Sequence, residues 1–114
     1  MALNVRRVYD SPVKSDGLRI LVDRLWPRGL SRDKAAVDHW FKEVAPSAEL
    51  RRWFGHEPER WAEFRRRYFA ELDRNPEQVA ALRKVIGRRR ATLLYAAKDG
   101  EHNNAQALRD YLKS

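Results

Sequence analysis

The sequence predicts an α/β fold, in which a small mixed or parallel sheet of three to four strands is flanked by about four helices. Short runs of β-branched and apolar residues occur near the N-terminus and again near residue 91, while the middle of the chain carries apolar residues at spacings of three and four. At 114 residues, the chain has the length of one ordinary domain. No repeat, low-complexity tract or linker divides it, so we expect one domain over residues 1–114.

Three segments are predicted to be strands, and a fourth is ambiguous. Residues 3–9 alternate partly between apolar and polar side chains, and residues 18–24 contain a compact apolar run. Because that run suggests burial on both faces, the second strand is expected to be central. Residues 91–96 form another short apolar strand, and residues 37–44 fit a strand or a helix, with strand favoured.

The other regular segments are predicted to be helices, because they combine capping residues or proline at the start with apolar residues at helical spacing. They are one turn at residues 31–36, a short helix capped by Ser47 and ended by Gly55, a helix from Pro58 to Leu72, a helix from Pro76 to Ile86, and a last helix from Asn103 to Leu112.

The formal net charge of +8 comes mainly from arginine. Such an excess favours encounter with anions, including nucleic acid, nucleotides and phosphorylated metabolites. Glutamates lie among the arginines and can pair with them locally, so a solvated surface explains the charge equally well. Two kinds of partner stay open at this point: an anionic small molecule in a pocket, and nucleic acid on the helical arginines between Arg51 and Arg90.

Several classes of function are disfavoured by what the sequence lacks. The absence of cysteine removes thiol nucleophiles and thiolate zinc sites, and the three histidines lack metal-ligand spacing, so no metal site is expected. No signal peptide or membrane-spanning segment is readable, which predicts a cytoplasmic protein without a membrane partner. The sequence identifies neither a cofactor nor an oligomeric state.

The first candidate site follows the strand at residues 18–24. Arg24 and Arg28 can present guanidinium groups to a phosphate or carboxylate, and Gly29 allows a ligand to approach the backbone closely. Asp23 can orient an arginine or act as a base. The alternative is an internal salt bridge between Asp23 and an arginine, which would only stabilise a turn.

The second candidate site lies between the strand at residues 91–96 and the last helix. Lys98 adds a positive charge there, and Asn103 and Asn104 lie at the start of the helix, where free amides attract anions. Capping of the helix by Asp99 and Asn103 is an equally good explanation of this pattern.

If the two strands are parallel neighbours, both loops open at one edge of the sheet, where open α/β sheets form their ligand crevices. Asp23 and His102 are then candidates for proton transfer near neutral pH. The segment from Ala45 to Pro58 could cover the site, although His56 within it is expected to have a structural role. Ser47 and His56 lack the nucleophile-elbow pattern of a hydrolase.

Several motifs in combination resemble a known family over nearly the whole chain. They are Asp16-Gly17 with Arg19, Asp23-Arg24-Leu25-Trp26-Pro27-Arg28-Gly29, Ala45-Pro46-Ser47, Leu50-Arg51 with Trp53, His56 with Pro58 and Trp61, and Lys98-Asp99 with His102-Asn103-Asn104-Ala105. The chain resembles the short, YeaO-like branch of the bacterial domain-of-unknown-function family 488. The resemblance implies a cytoplasmic α/β domain whose signature residues are polar and lie in loops, with no established activity.

Longer members of that family carry cysteines where this chain has Tyr95 to Asn104, so their thiol or metal chemistry does not transfer to this chain. The leading hypothesis is a protein, with catalysis left open, that binds a nucleotide-like or phosphorylated anion through Arg28, Lys98 and the start of the last helix. The rival is a nucleic-acid-binding module, and a third option is a basic surface that docks on an acidic protein.

Overall fold

The computed structural model describes residues 2–114. Over that range the chain forms a four-stranded sheet, with every strand parallel, and five α-helices. The strands are β1 (Leu3–Arg7), β2 (Leu18–Leu21), β3 (His39–Trp40) and β4 (Ala91–Tyr95), and the helices are α1 (Arg32–Ala35), α2 (Ala48–Phe54), α3 (Trp61–Asp73), α4 (Pro76–Ile86) and α5 (Asn104–Lys113). The predicted α/β class is confirmed, and the sheet is parallel rather than mixed.

The order of the strands is β1-β4-β2-β3, so β4 and β2 lie inside the sheet and hydrogen-bond to each other. Leu18 pairs with Ala91 and Leu21 with Leu94, and every residue of β4 is buried. The prediction that the second strand is central is therefore confirmed. Because all strands run in the same direction, the loops that follow β1, β2 and β4 emerge at one edge of the sheet.

The segment at residues 37–44 is mostly not a strand, which corrects the interpretation favoured from sequence. Only His39 and Trp40 pair with β2, and a 3-10 turn follows at Lys42–Val44. The reason is that β3 lies at the sheet edge beside a strand of four residues, and the ladder ends where the Phe41 amide donates to Leu21. The strands at 3–9 and 18–24 are also shorter than predicted, ending at Arg7 and Leu21.

Helices α2 to α5 pack their apolar residues on one face of the sheet. Phe64, Tyr68 and Leu72 of α3 and Leu82 of α4 are buried there against Ile20, Leu93 and their neighbours. The spacings of three and four that predicted these helices therefore mark their buried faces. No helix within residues 2–114 has both the length and the apolar character needed to cross a bilayer.

The other face of the sheet carries no long helix among the described residues and is covered by loops and α1. Its polar part is organised by Asp16, which is 2% exposed and accepts hydrogen bonds from Arg6 at 2.9 Å and from Arg19 at 2.5 Å. The hydroxyl of Thr92 donates to the Asp16 carbonyl at 2.8 Å. This network joins β1, β2 and β4 to the loop before β2.

Candidate functional site

A cleft of about 520 Å³ lies where β1, β2 and β4 end. Five parts of the chain line it: Tyr9 after β1, the loop at residues 23–28 after β2, the segment at residues 45–56 that includes α2, Phe64 of α3, and the residues at 96–104 that lead into α5. The cleft therefore lies at the carboxyl edge of a parallel sheet, the usual place for ligand crevices in open α/β folds.

Asp23 joins two of these segments. One oxygen of its carboxylate accepts a hydrogen bond from the Ala96 amide at 2.9 Å, and the other accepts one from the Asn104 side chain at 3.1 Å. Burial raises the pKa of Asp23, and these two hydrogen bonds offset the rise only in part. Both oxygens thus have partners within the protein, and the carboxylate connects the end of β2 to the start of α5.

His102 is oriented by an acidic neighbour. Its Nδ1 lies 2.9 Å from a carboxylate oxygen of Asp99, and its ring packs edge-on against Trp61 with centroids 5.4 Å apart. Backbone hydrogen bonds from Glu101 and His102, together with the imidazole, lower the pKa of Asp99 to about 2. Asp99 is therefore ionised at neutral pH, and His102 lines the cleft in a fixed orientation.

Asn103 and Asn104 are used inside the protein. The side-chain oxygen of Asn103 accepts from the Gln106 amide at 3.0 Å, and its nitrogen donates to the Asp99 carbonyl at 3.0 Å. The Asn104 side chain donates to the Val22 carbonyl as well as to Asp23. The capping explanation from the sequence accounts for Asn103, and Asn104 positions the Asp23 carboxylate.

Arg24 lines the cleft and also contacts the segment before α2. Its Nη2 donates to the Ala45 carbonyl at 3.2 Å and lies 3.5 Å from the Pro46 carbonyl. Its Nε is buried and has no hydrogen-bond partner among the described residues. Arg24 thus helps to position α2 beside the loop that follows β2.

Arg28, Arg51 and Arg52 line the cleft, and we call their guanidinium groups uncommitted because they have no polar partner among the described residues. Within residues 2–114, none of the three side chains makes an ion pair or a hydrogen bond. The charge of Arg51 lowers the pKa of Asp23, which is the one acid among the described residues lining the cleft. The cleft therefore has a strong excess of positive charge, which attracts anions.

Lys98 and Gly29 do not line the cleft, although the sequence placed both among the candidate ligand contacts. Lys98 is exposed in the turn after β4. Gly29 has φ of +75°, and a Cβ atom added there would meet no atom within 4 Å. A positive φ in the turn explains this glycine without close approach of a ligand.

Sequence reasoning missed Arg51, Arg52 and Tyr9 as cleft residues. The two arginines were assigned to a helical arginine face. The available signal was their place in the segment from Ala45 to Pro58, which was expected to cover the site. Tyr9 carried no signal, because its place beside the loop after β2 depends on the order of the strands. Ser47 caps α2 and donates to Glu71 at 2.6 Å, which accounts for its hydroxyl.

Much of the helical arginine face is paired internally. Arg66 and Arg67 both contact Glu63, and Arg65 pairs with Asp110 at 3.1 Å. The pairs with Glu63 are local helical pairs of the kind that the sequence offered as an alternative to nucleic-acid contacts, whereas Arg65 and Asp110 pair between α3 and α5. Within residues 2–114, no group of three or more histidine or acidic side chains is arranged to hold a metal ion.

The fold and the site define a parallel α/β protein with an arginine-lined cleft at its strand ends. A family model described as "Inactive DUF488-N3 subclade" matches residues 2–114. The chain belongs to the DUF488 family, in its short, YeaO-like branch.

Curated relatives match almost end to end. The chain is 45% identical to the uncharacterised protein YeaO of Escherichia coli K12 over 114 residues, which cover 100% of this chain and 99% of that protein. It is 43% identical over 110 residues to the uncharacterised proteins Mb3100c of Mycobacterium bovis and Rv3073c of Mycobacterium tuberculosis, covering 96% of this chain and 92% of each. No solved structure matches the chain significantly.

Proposed function

We propose that this protein binds an anionic small molecule, phosphorylated or nucleotide-like, in the cleft at the carboxyl ends of β2 and β4. The observation that carries the proposal is the set of three uncommitted guanidinium groups of Arg28, Arg51 and Arg52 around one cleft. Arginine binds phosphate and carboxylate oxygens through paired N–H donors, so these side chains suit such an anion.

The rest of the cleft suits a ligand that also has an apolar part. Phe54 and Phe64 line it beside Pro46 and Ala97, and its volume of about 520 Å³ falls in the range of small-molecule sites. A nucleotide combines a phosphate with a flat apolar base, which matches this division between cationic and apolar walls.

The proposal is for binding without turnover. Proton transfer by Asp23 and His102 is the enzymatic alternative, favoured by the Asp99–His102 contact, since a carboxylate that orients an imidazole is common in acid–base catalysis. Against it, both oxygens of Asp23 are occupied by protein donors, and the matching subclade is described as inactive.

Titration calorimetry with five probes tests the proposal: adenosine 5′-monophosphate, cyclic adenosine monophosphate, adenosine, inorganic phosphate and a single-stranded DNA of about 20 nucleotides. We expect the monophosphate to bind. Arg28→Ala and Arg51→Ala should each weaken binding about tenfold, because each removes a charge-assisted contact. Arg88→Ala, which removes an exposed arginine outside the cleft, should leave the affinity unchanged.

Three outcomes would contradict the proposal. Binding of the DNA alone, lost at high salt and retained in Arg28→Ala and Arg51→Ala, would support the nucleic-acid alternative. Equal binding of adenosine and its monophosphate would show that the guanidinium groups are not what the ligand contacts. Chemical conversion of a bound phosphate ester by the wild type, monitored by phosphorus NMR, would support the enzymatic alternative instead.

A further inference from the structure

Two residues other than glycine have positive φ within residues 2–114: Ala36 at 49° and His56 at 58°. Side chains with a Cβ atom rarely adopt this left-handed conformation, because it brings Cβ close to the following carbonyl oxygen. Ala36 has an evident reason, since it ends α1 and its carbonyl accepts from the Arg19 side chain at 3.1 Å.

At His56 the positive φ belongs to a tight turn, in which Gly55 and His56 are the central residues and the Glu57 amide donates to the Phe54 carbonyl at 3.0 Å. The helix before it, α2, is already ended by Gly55, which has φ of 54° and donates its amide to the Arg51 carbonyl. Glycine would adopt the backbone of residue 56 at lower cost than histidine. The histidine side chain must therefore contribute something that offsets the cost, or the position would gain stability from glycine.

Within the described chain, the His56 side chain has an aromatic neighbour but no polar partner. The His56 side chain makes no hydrogen bond or ion pair there, and the residue is exposed. Its ring lies beside Phe54, with centroids 6.3 Å apart. It lines the same cleft as Arg51 and Arg52, which lie on the last turns of α2 just before it.

We infer that His56 is a ligand-contacting residue, whose left-handed backbone holds the imidazole where it can donate a hydrogen bond to the anion bound by Arg51 and Arg52. This inference rests on the proposed function. Strained backbone that persists beside a ligand site is a known way in which proteins fix a binding side chain, at some loss of stability. It implies that stability and binding oppose each other at residue 56.

The test compares His56→Gly, His56→Ala and Ala36→Gly by thermal unfolding and by calorimetric titration with adenosine 5′-monophosphate. His56→Gly should raise Tm by about 3 °C, because relief of the left-handed strain exceeds the entropy cost of glycine, and should weaken binding about tenfold. His56→Ala should weaken binding equally without raising Tm. Ala36→Gly is the matched control, expected to raise Tm with unchanged affinity, since Ala36 does not line the cleft.

The outcomes separate this inference from the proposed function. Tight binding by the wild type that survives in both His56 variants would overturn the role of His56 and leave the proposed function standing. A wild type that binds neither the monophosphate nor inorganic phosphate would overturn both. A lower Tm in His56→Gly would contradict the argument from strain, whatever the affinity.

Discussion

The side chain of Asn104 donates a hydrogen bond of 3.1 Å to the Asp23 carboxylate across 81 positions of sequence. The same carboxylate accepts from the Ala96 amide. Asp23 thus holds the loop after β2 against the segment between β4 and α5. The shape of the cleft depends on this connection, because two of the segments that line it are held together there.

Replacing Asn104 by Asp should therefore lower the free energy of unfolding by about 2 kcal/mol at pH 7, since it places two carboxylates side by side and removes a donor. The loss should shrink toward pH 4, where one proton shared by the pair relieves the repulsion. Asn104→Leu is the uncharged control: it removes the hydrogen bond that lowers the pKa of Asp23, so its loss should also shrink toward pH 4, but by less than that of Asn104→Asp. Urea unfolding at several pH values measures both, and equal pH profiles for the two variants would contradict the argument.

The ionisation of Asp16 should control how the stability of the fold changes in acid. Burial tends to raise the pKa of Asp16, but hydrogen bonds from Val13, Arg6 and Arg19 outweigh it and hold the pKa below the ordinary value of 3.8. Its stabilising contribution should be fully present above that value and lost as the pH falls through the lowered one.

Asp16→Asn should cost about 3 kcal/mol at pH 7, because Arg19, which is 4% exposed, loses its charged partner. The variant should also flatten the dependence of unfolding free energy on pH below 5. Asp99→Asn serves as a comparison, because hydrogen bonds also lower the pKa of Asp99, to about 2, but Asp99 is only half-buried and lies in a loop. A pH profile for Asp16→Asn that parallels the wild type would show that Asp16 is not the acid-sensitive group.

Gly17 and Gly29 form a matched pair for testing backbone conformation. Both have positive φ, but a Cβ atom at Gly17 would lie 2.2 Å from the Arg90 carbonyl oxygen, whereas one at Gly29 meets nothing within 4 Å. Gly29→Ala should cost about 1 kcal/mol from the left-handed conformation alone. Gly17→Ala should cost about 3 kcal/mol or more, because the backbone contact between β2 and β4 must shift. Equal losses in urea unfolding would refute the proposed clash.

The difference between Gly17 and Gly29 illustrates what the sequence could and could not predict. Turn chemistry at Ser15-Asp16-Gly17 was visible locally, but the close approach of Arg90 depends on the pairing of distant strands. The α/β class and the long helices were predictable because periodicity is a local property. The two-residue strand β3 was not, since its extent depends on the length of β2 beside it.

The candidate site shows the same limit. The loops after β2 and β4 could be selected from sequence because polar residues follow apolar strands there. The contacts within the site could not, since Asn104 reaches Asp23 only when β2 and β4 are neighbours. Arg51 and Arg52 look like other exposed helical arginines in sequence, and only packing of α2 beside the sheet edge brings them to the cleft.

Tyr9 holds the loop that carries Arg28. Its hydroxyl donates to the Arg28 carbonyl at 2.7 Å, and the guanidinium of Arg7 lies 4.7 Å from the centre of its ring. Arg7 in turn donates to the Ala97 carbonyl at 3.0 Å. The end of β1 therefore connects the two loops that form opposite sides of the cleft.

Tyr9→Phe should change the free energy of unfolding by less than about 0.5 kcal/mol, because the hydroxyl is exposed and water can replace it. Binding of adenosine 5′-monophosphate should nevertheless weaken about threefold, since the Arg28 loop loses an anchor and must be ordered on binding. The loss should vanish in an Arg28→Ala background, because the anchor then has no guanidinium to position. Calorimetric titration of the four proteins in this cycle measures the coupling, and additive losses would mean that Tyr9 acts on the ligand independently of Arg28.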